Sequence, residues 1–178
     1  MFTSTRGERT SRVDSIPMLK IGDRVPAATF RTPGPDGPAP LTTADVFAGK
    51  KVALFAVPAA FSPTCSDMHL PGYVRNHDAI KAQGIDTIAC LSTNDAWVLA
   101  AWAAQHGATG KIVMLSDGNL EFTRAAGMEL DATVVGEGIR TQRYAAIVED
   151  GVVTDVRIDE KPWLAEASSA EALCGLTS

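Results

Sequence analysis

Cysteine is scarce in this chain: its 178 residues hold three, Cys65, Cys90 and Cys174, and no two of them form a CxxC pair. An odd, widely spaced set excludes the disulfide framework of a small secreted domain and the paired ligands of a structural zinc site. No His, Cys and carboxylate cluster has metal-ligand spacing, and no glycine-rich phosphate loop is present. Long apolar runs are missing too, since none reaches the roughly 18–20 residues that cross a bilayer. The N-terminus lacks the apolar core of a secretory signal, which makes the cytoplasm the expected location. Basic residues are outnumbered, 16 Lys and Arg against 21 Asp and Glu, for a formal net charge of −5. That balance argues against nucleic acid and anionic membranes as partners.

What is there fits one globular domain preceded by a polar tail. Residues 1–17, with Arg6, Arg9 and Arg12 among serines and threonines, read as a flexible extension, and globular patterning begins at Met18. Five prolines between Pro26 and Pro40 punctuate loops and short strands, and Thr42–Ala48 reads as a short helix. The run Val52–Pro58 is continuously apolar and ends at proline, as a strand buried on both faces does. A helix then starts at Ser62 as N-cap with Pro63 in its first position, and Pro71 and Gly72 predict a kink inside it. Ile85–Leu91 and Lys111–Ser116 are further apolar strands, separated by a helix that Asn94 or Asp95 caps. Leu120–Ala126 is a short helix. Arg143–Asp150 and Val152–Ile158 flank an Asp150-Gly151 turn as a hairpin, and a last helix follows Ser168 or Ser169. Strands alternating with helices predict an α/β protein, a central mixed β-sheet flanked by helices, compatible with a thioredoxin-like fold.

The segment Pro58-Ala59-Ala60-Phe61-Ser62-Pro63-Thr64-Cys65 carries chemistry. It sets a cysteine in the first turn of a helix, just past the end of a buried strand, where active sites of α/β sheets gather. Unpaired N–H groups and partial positive charge at a helix N-terminus favour thiolate over thiol, and the thiolate is the form that attacks a peroxide oxygen. Ser62 places a hydroxyl one turn before Cys65, to cap the helix or bind substrate, and Pro58 restricts the loop and shields the sulfur from bulk water. Placement alone leaves open that Cys65 is an ordinary buried cysteine.

The string Pro-x-x-x-Thr/Ser-x-x-Cys resembles the active-site motif of the peroxiredoxins, with Pro58, Ser62 and Cys65 at its marked positions. Pro63-Thr64-Cys65-Ser66, His69-Leu70-Pro71-Gly72-Tyr73, Ile88-Ala89-Cys90-Leu91-Ser92, Asn94-Asp95-Ala96-Trp97, Met114-Leu115-Ser116-Asp117-Gly118 and Arg143-Tyr144-Ala145 are similar to the atypical type 5 and plant type II subfamily. The resemblance implies a thioredoxin fold over residues 18–178 and a peroxidase acting on hydrogen peroxide and alkyl hydroperoxides. It implies no cofactor, and a frequent homodimer. It gives Cys65 the part of peroxidatic nucleophile and Arg143 that of the arginine completing the site, although by pattern alone Arg143 reads as a surface-strand residue. His69 and, more weakly, Arg140 are implied supporting residues. Phe61 and Phe122 are expected to line the substrate pocket or a dimer contact. Ala59 stands where the family often has glycine, and Ser62 where threonine is commoner.

Attack on peroxide leaves a sulfenic acid that a second thiol must meet. Cys90 matches the second cysteine of the plant type II pattern, yet its place on a central strand reads equally as packing. Cys174 reads as structural. Glutathione with glutaredoxin, or thioredoxin, are the expected reductants. A peroxide-sensing switch and a thiol–disulfide oxidoreductase on the same fold are the competing readings; the missing CxxC speaks against the second.

Overall fold

The computed structural model describes residues 16–176, so the extension assigned to residues 1–17 lies, apart from Ile16 and Pro17, outside the described residues. In chain order the elements are β1 (Thr29–Gly34), β2 (Gly37–Thr42), α1 (Thr43–Phe47), β3 (Lys51–Ala56), a π-helical turn (Cys65–His69), α2 (Leu70–Arg75), α3 (His77–Ala82) and β4 (Thr87–Ser92). There follow α4 (Ala96–Gln105), β5 (Val113–Ser116), α5 (Glu121–Ala125), β6 (Glu129–Ala132), β7 (Gly138–Thr141), β8 (Tyr144–Glu149), β9 (Val152–Ile158) and α6 (Ala170–Cys174). A seven-stranded sheet runs β2-β1-β5-β4-β3-β8-β9, and β6 and β7 form a separate ribbon.

Strands β3, β4 and β5 are parallel, while β8 joins β3 antiparallel. The continuous apolar run predicted at Val52–Pro58 is the centre of this sheet, and its side chains alternate between two cores. Val52, Leu54 and Ala56 meet Phe30, Val46, Phe47, Leu115 and Phe122 on one face. Ala53, Phe55 and Val57 meet Leu70, Tyr73, Ile80, Leu99 and Trp102 on the other. Helices α2, α3, α4 and α6 therefore cover one face, and α1 and α5 the opposite one.

Caps set the helix starts. Thr42 and Asp45 form a reciprocal capping box on α1, Asp95 accepts from the Val98 N–H at the start of α4, and Ser169 accepts from Ala172 at the start of α6. Asp150 and Gly151, with φ of 47° and 77°, make the tight β8–β9 turn that the sequence indicates.

One expectation is corrected, and one element was absent from the sequence reading. The predicted kink at Pro71-Gly72 is replaced by a π turn one step earlier and a break at Asn76. Proline has no N–H and its ring crowds the carbonyl four residues back, so the chain widens before it: the Leu70 N–H bonds to the Cys65 carbonyl. The β6–β7 ribbon was not foreseen, its four-residue strands being too short for a period to emerge.

Candidate active site

Beyond β3 the chain bends through a loop tied to the sheet end. The Val57 N–H reaches the Leu91 carbonyl at 3.0 Å, and the Ala60 N–H reaches Asn94 Oδ1 at 2.8 Å. Asn94 Oδ1 also accepts from Ser92 Oγ at 2.9 Å, so this residue anchors the loop while its neighbour Asp95 does the capping. Pro58 and Ala59 are buried, and Phe61, half exposed, holds φ at 66°, an uncommon left-handed conformation for a bulky residue. The Ser62 carbonyl accepts the first helical bond, from Ser66 N at 3.0 Å. Its side chain does not cap: Oγ donates to the Ala59 carbonyl at 2.8 Å and stiffens the loop from within.

The π turn places Cys65 and His69 inward, 0% and 2% exposed, with Asp67 and Met68 facing out. Arg143, one residue before β8, comes to them from across the sheet. Its Nη2 donates to Cys65 Sγ at 3.1 Å, its Nη1 to His69 Nδ1 at 2.9 Å, and its Nε to the Pro162 carbonyl at 2.8 Å. Each guanidinium nitrogen thus has its own acceptor, a division that only a planar fork permits. Arg143 is 2% exposed, yet among the described residues no ion pair includes it. A buried cation without a paired carboxylate is costly, and the Cys65 sulfur is the atom that its Nη2 faces.

His69 faces Ser168 on its far side, with Nε2 at 3.0 Å from the Ser168 carbonyl and 3.1 Å from Ser168 Oγ. Burial above all, and then the charge of Arg143, drive its pKa down from 6.5 to about 3, against the opposing hydrogen bond to Ser168 and charge of Asp159. The imidazole is neutral. This has a consequence for acid stability. Above pH 6.5 neither state holds the proton. Between pH 6.5 and about 3 the unfolded chain binds a proton that the folded one refuses, so stability falls as pH falls. At about 1.4 kcal/mol per pH unit the loss reaches several kcal/mol. Denaturant melts across this range are expected to show a shallower decline for His69→Asn, which cannot titrate; equal slopes would contradict the assignment.

The other predicted residues divide. Cys90 is fully buried on β4, between Phe55 of β3 and Met114 of β5, and burial pushes its thiol up. Cys174 is half-buried at the end of α6, and all three cysteines are free. Phe122 is a correction. It lies fully buried against Phe30, ring centroids 5.4 Å apart, in the core on the opposite face of the sheet from Cys65, so it lines neither a pocket nor a surface contact. Arg140 is not brought to the sulfur; it sits on the β6–β7 ribbon and its Nε donates to the Glu137 carbonyl at 2.8 Å.

The sequence reading missed the segment from Asp159 to Ser168. The Pro162 carbonyl holds Arg143, the Trp163 carbonyl takes the Thr64 hydroxyl at 2.8 Å, and the Ser168 carbonyl takes the Tyr73 hydroxyl at 2.8 Å. These contacts are made by main-chain oxygens, which every residue has and no side-chain pattern announces.

The Redoxin family pattern matches residues 20–173. The chloroplastic peroxiredoxin-2E-2 of Oryza sativa subsp. japonica is 42% identical over 166 residues, spanning 90% of this chain and 74% of that protein. A peroxiredoxin of Synechocystis is 44% identical over 146 residues, 77% of each. The solved structure of reduced Prx3 from Vibrio vulnificus in complex with hydrogen peroxide superposes with a TM-score of 0.82 at 44% identity, covering 87% of this chain and 96% of that one.

Proposed function

This chain belongs to the Redoxin family and is a peroxiredoxin, a thiol peroxidase of antioxidant function, and from that premise we propose that Cys65 is its peroxidatic nucleophile. The observation that carries the assignment is the buried Arg143 guanidinium 3.1 Å from Cys65 Sγ with no carboxylate paired to it. The thiolate attacks one oxygen of the hydroperoxide. An S–O bond forms, the O–O bond breaks, and the departing hydroxide or alkoxide takes a proton from solvent. Arg143 stabilises the negative charge first on sulfur and then on the leaving oxygen. His69 takes part by holding Nη1, Pro58 by closing the loop over the sulfur, and Ser62 by bracing it through Ala59.

The sulfenic acid on Cys65 is resolved by an external thiol. Glutathione displaces water from it to give a mixed disulfide, and glutaredoxin thiol takes up the glutathione, leaving Cys65 reduced. Thioredoxin is the alternative donor. The burial of Cys90 supports this closure: it is fully buried on β4, held in register by ladders on both sides, and burial pushes its thiol up, away from the thiolate that resolution needs. Phe61, Met68 and Trp163, 49%, 55% and 66% exposed, suit an apolar contact in a homodimer. A chain with three free thiols suits a reducing compartment such as the cytoplasm.

The test is a single turnover. One equivalent of hydrogen peroxide followed by a sulfenic-acid trap is expected to label the Cys65 peptide and neither other cysteine. Label on Cys90 or Cys174 instead would move the nucleophile there. Cys90→Ser is expected to sustain turnover with glutathione and glutaredoxin at the wild-type rate; loss of turnover would restore Cys90 as the resolving thiol.

A further inference from the structure

Behind His69 lie two polar side chains that do not touch the sulfur. Asp159 and Ser168 are 7% and 0% exposed. Asp159 Oδ1 accepts from the N–H groups of Glu166 at 3.1 Å and Ala167 at 2.8 Å. Its Oδ2 accepts from the Ser168 N–H at 3.3 Å and, in a short bond, from the Ser168 hydroxyl. A serine hydroxyl carries a single proton. With that proton on Asp159, Ser168 Oγ can only accept from His69, as its own carbonyl does. Nε2 therefore faces two acceptors, at 3.0 and 3.1 Å, and must carry the ring proton. Nδ1 faces a guanidinium nitrogen at 2.9 Å, which can only donate, and must be bare.

We propose that Asp159 and Ser168 are positioning residues for peroxide reduction: by claiming the Ser168 proton the carboxylate fixes His69 as its Nε2–H tautomer, which keeps Nδ1 open to hold Arg143 on the Cys65 sulfur. Were the hydroxyl free to turn, it could donate to Nε2 and allow the proton onto Nδ1. Two donors would then oppose each other at Arg143 Nη1, and the guanidinium would lose one of the three acceptors that aim it. The order Asp159, Ser168, His69, Arg143, Cys65 is thus a chain of donors and acceptors whose direction is set at its far end. No proton needs to travel along it. This inference rests on Cys65 and Arg143 having the parts proposed above.

Ser168→Ala and Asp159→Asn are the test, the second because an amide can donate to Ser168 Oγ and release its proton toward His69. Both are expected to lower the second-order rate with hydrogen peroxide by roughly tenfold, as removing a partner that orients a reactive group commonly does. The pH–rate profile should move to higher pH. Nitrogen NMR of the His69 ring in the wild type is expected to show Nε2 protonated and Nδ1 bare, and this reading does not depend on either variant folding. A wild-type ring protonated on Nδ1 overturns the inference. So do variants with wild-type rate and profile, or a slower variant whose pH profile has not moved. Cys65→Ser runs alongside: turnover by that variant defeats the reading of the nucleophile itself, whereas an inactive Cys65→Ser with unaffected Ser168→Ala and Asp159→Asn defeats only the positioning role.

Discussion

Cys65→Ser is expected to remove peroxide turnover, a loss of several orders of magnitude of the kind seen when the nucleophile of a catalytic unit is deleted. The exchange swaps one chalcogen for a smaller one in a fully buried position, so the fold should persist and the melting temperature should change little. What disappears is the sulfur nucleophile. A serine hydroxyl in the same place stays protonated, and the Arg143 Nη2 that sits 3.1 Å from the sulfur would bond to a neutral oxygen with little nucleophilic power toward peroxide. The measurement is hydrogen peroxide consumption with glutathione and glutaredoxin, and separately with thioredoxin, beside a thermal melt. Retained turnover by a well-folded Cys65→Ser protein would sink the assignment. Cys90→Ser should show the opposite pattern, since that side chain packs between Phe55 and Met114 in the sheet: stability falls somewhat while turnover stays.

The contrast between these cysteines shows which parts of the molecule could be read from sequence. The strand of Cys90 was legible because Val52–Ala56 of β3 and Ile88–Leu91 of β4 are apolar without interruption, as in a strand covered on both sides; the two cores meeting β3 are the structural counterpart. The β8–β9 hairpin was legible from Asp150-Gly151, whose left-handed conformations are the ones that pair of residues adopts readily. The helix start near Cys65 was legible from Ser62 and Pro63, but the bond that Ser62 Oγ makes was not. A hydroxyl beside a tight loop has both the helix N–H groups and the loop carbonyls within reach, and here Ala59 wins. The π turn depends on Pro71, and the proline was read correctly as a disturbance but put one step too late.

Other failures are tertiary. Phe122 was assigned to the substrate pocket or a dimer contact because its aromatic bulk suits either. Which face of the sheet a short helix covers is decided by the crossover that precedes it, and α5 crosses to the face away from Cys65. Ser168 and Ser169 read alike as candidate caps of the last helix; Ser169 makes the cap, while Ser168 Oγ turns to Asp159, whose other oxygen takes the N–H groups of Glu166 and Ala167. The reach of Asp159 and Ser168 to His69 joins positions far apart in the chain, and no local period or spacing carries that information. Arg143 shows the same limit: by pattern it is a residue at a strand's edge, and only the resemblance of the sequence around it to known peroxidases pointed to its place at the sulfur.

Arg143→Leu and Arg143→Lys together are expected to separate charge from geometry at the site. Leucine removes the donor to Cys65, and peroxide reduction should fall by about 10²–10³, the loss that follows deletion of a donor aimed at developing negative charge. It also strips the partners from His69 Nδ1 and the Pro162 carbonyl, so part of the damage is structural. Lysine restores the positive charge but carries it on a single nitrogen, which cannot satisfy sulfur, imidazole and carbonyl from three directions at once. Its rate should therefore lie between those of leucine and wild type. His69 supplies an independent readout. The charge of Arg143 is the second cause, after burial, of its depressed pKa. In Arg143→Leu the imidazole should therefore protonate at higher pH than in wild type, and the acid loss of stability should become shallower, while Arg143→Lys keeps most of the wild-type slope. Ring NMR titration of His69 in the three proteins checks this directly. If lysine matches wild type in rate, the bare charge suffices and the three-way division of the guanidinium is dispensable. If leucine matches wild type, Arg143 has no part in the chemistry at Cys65.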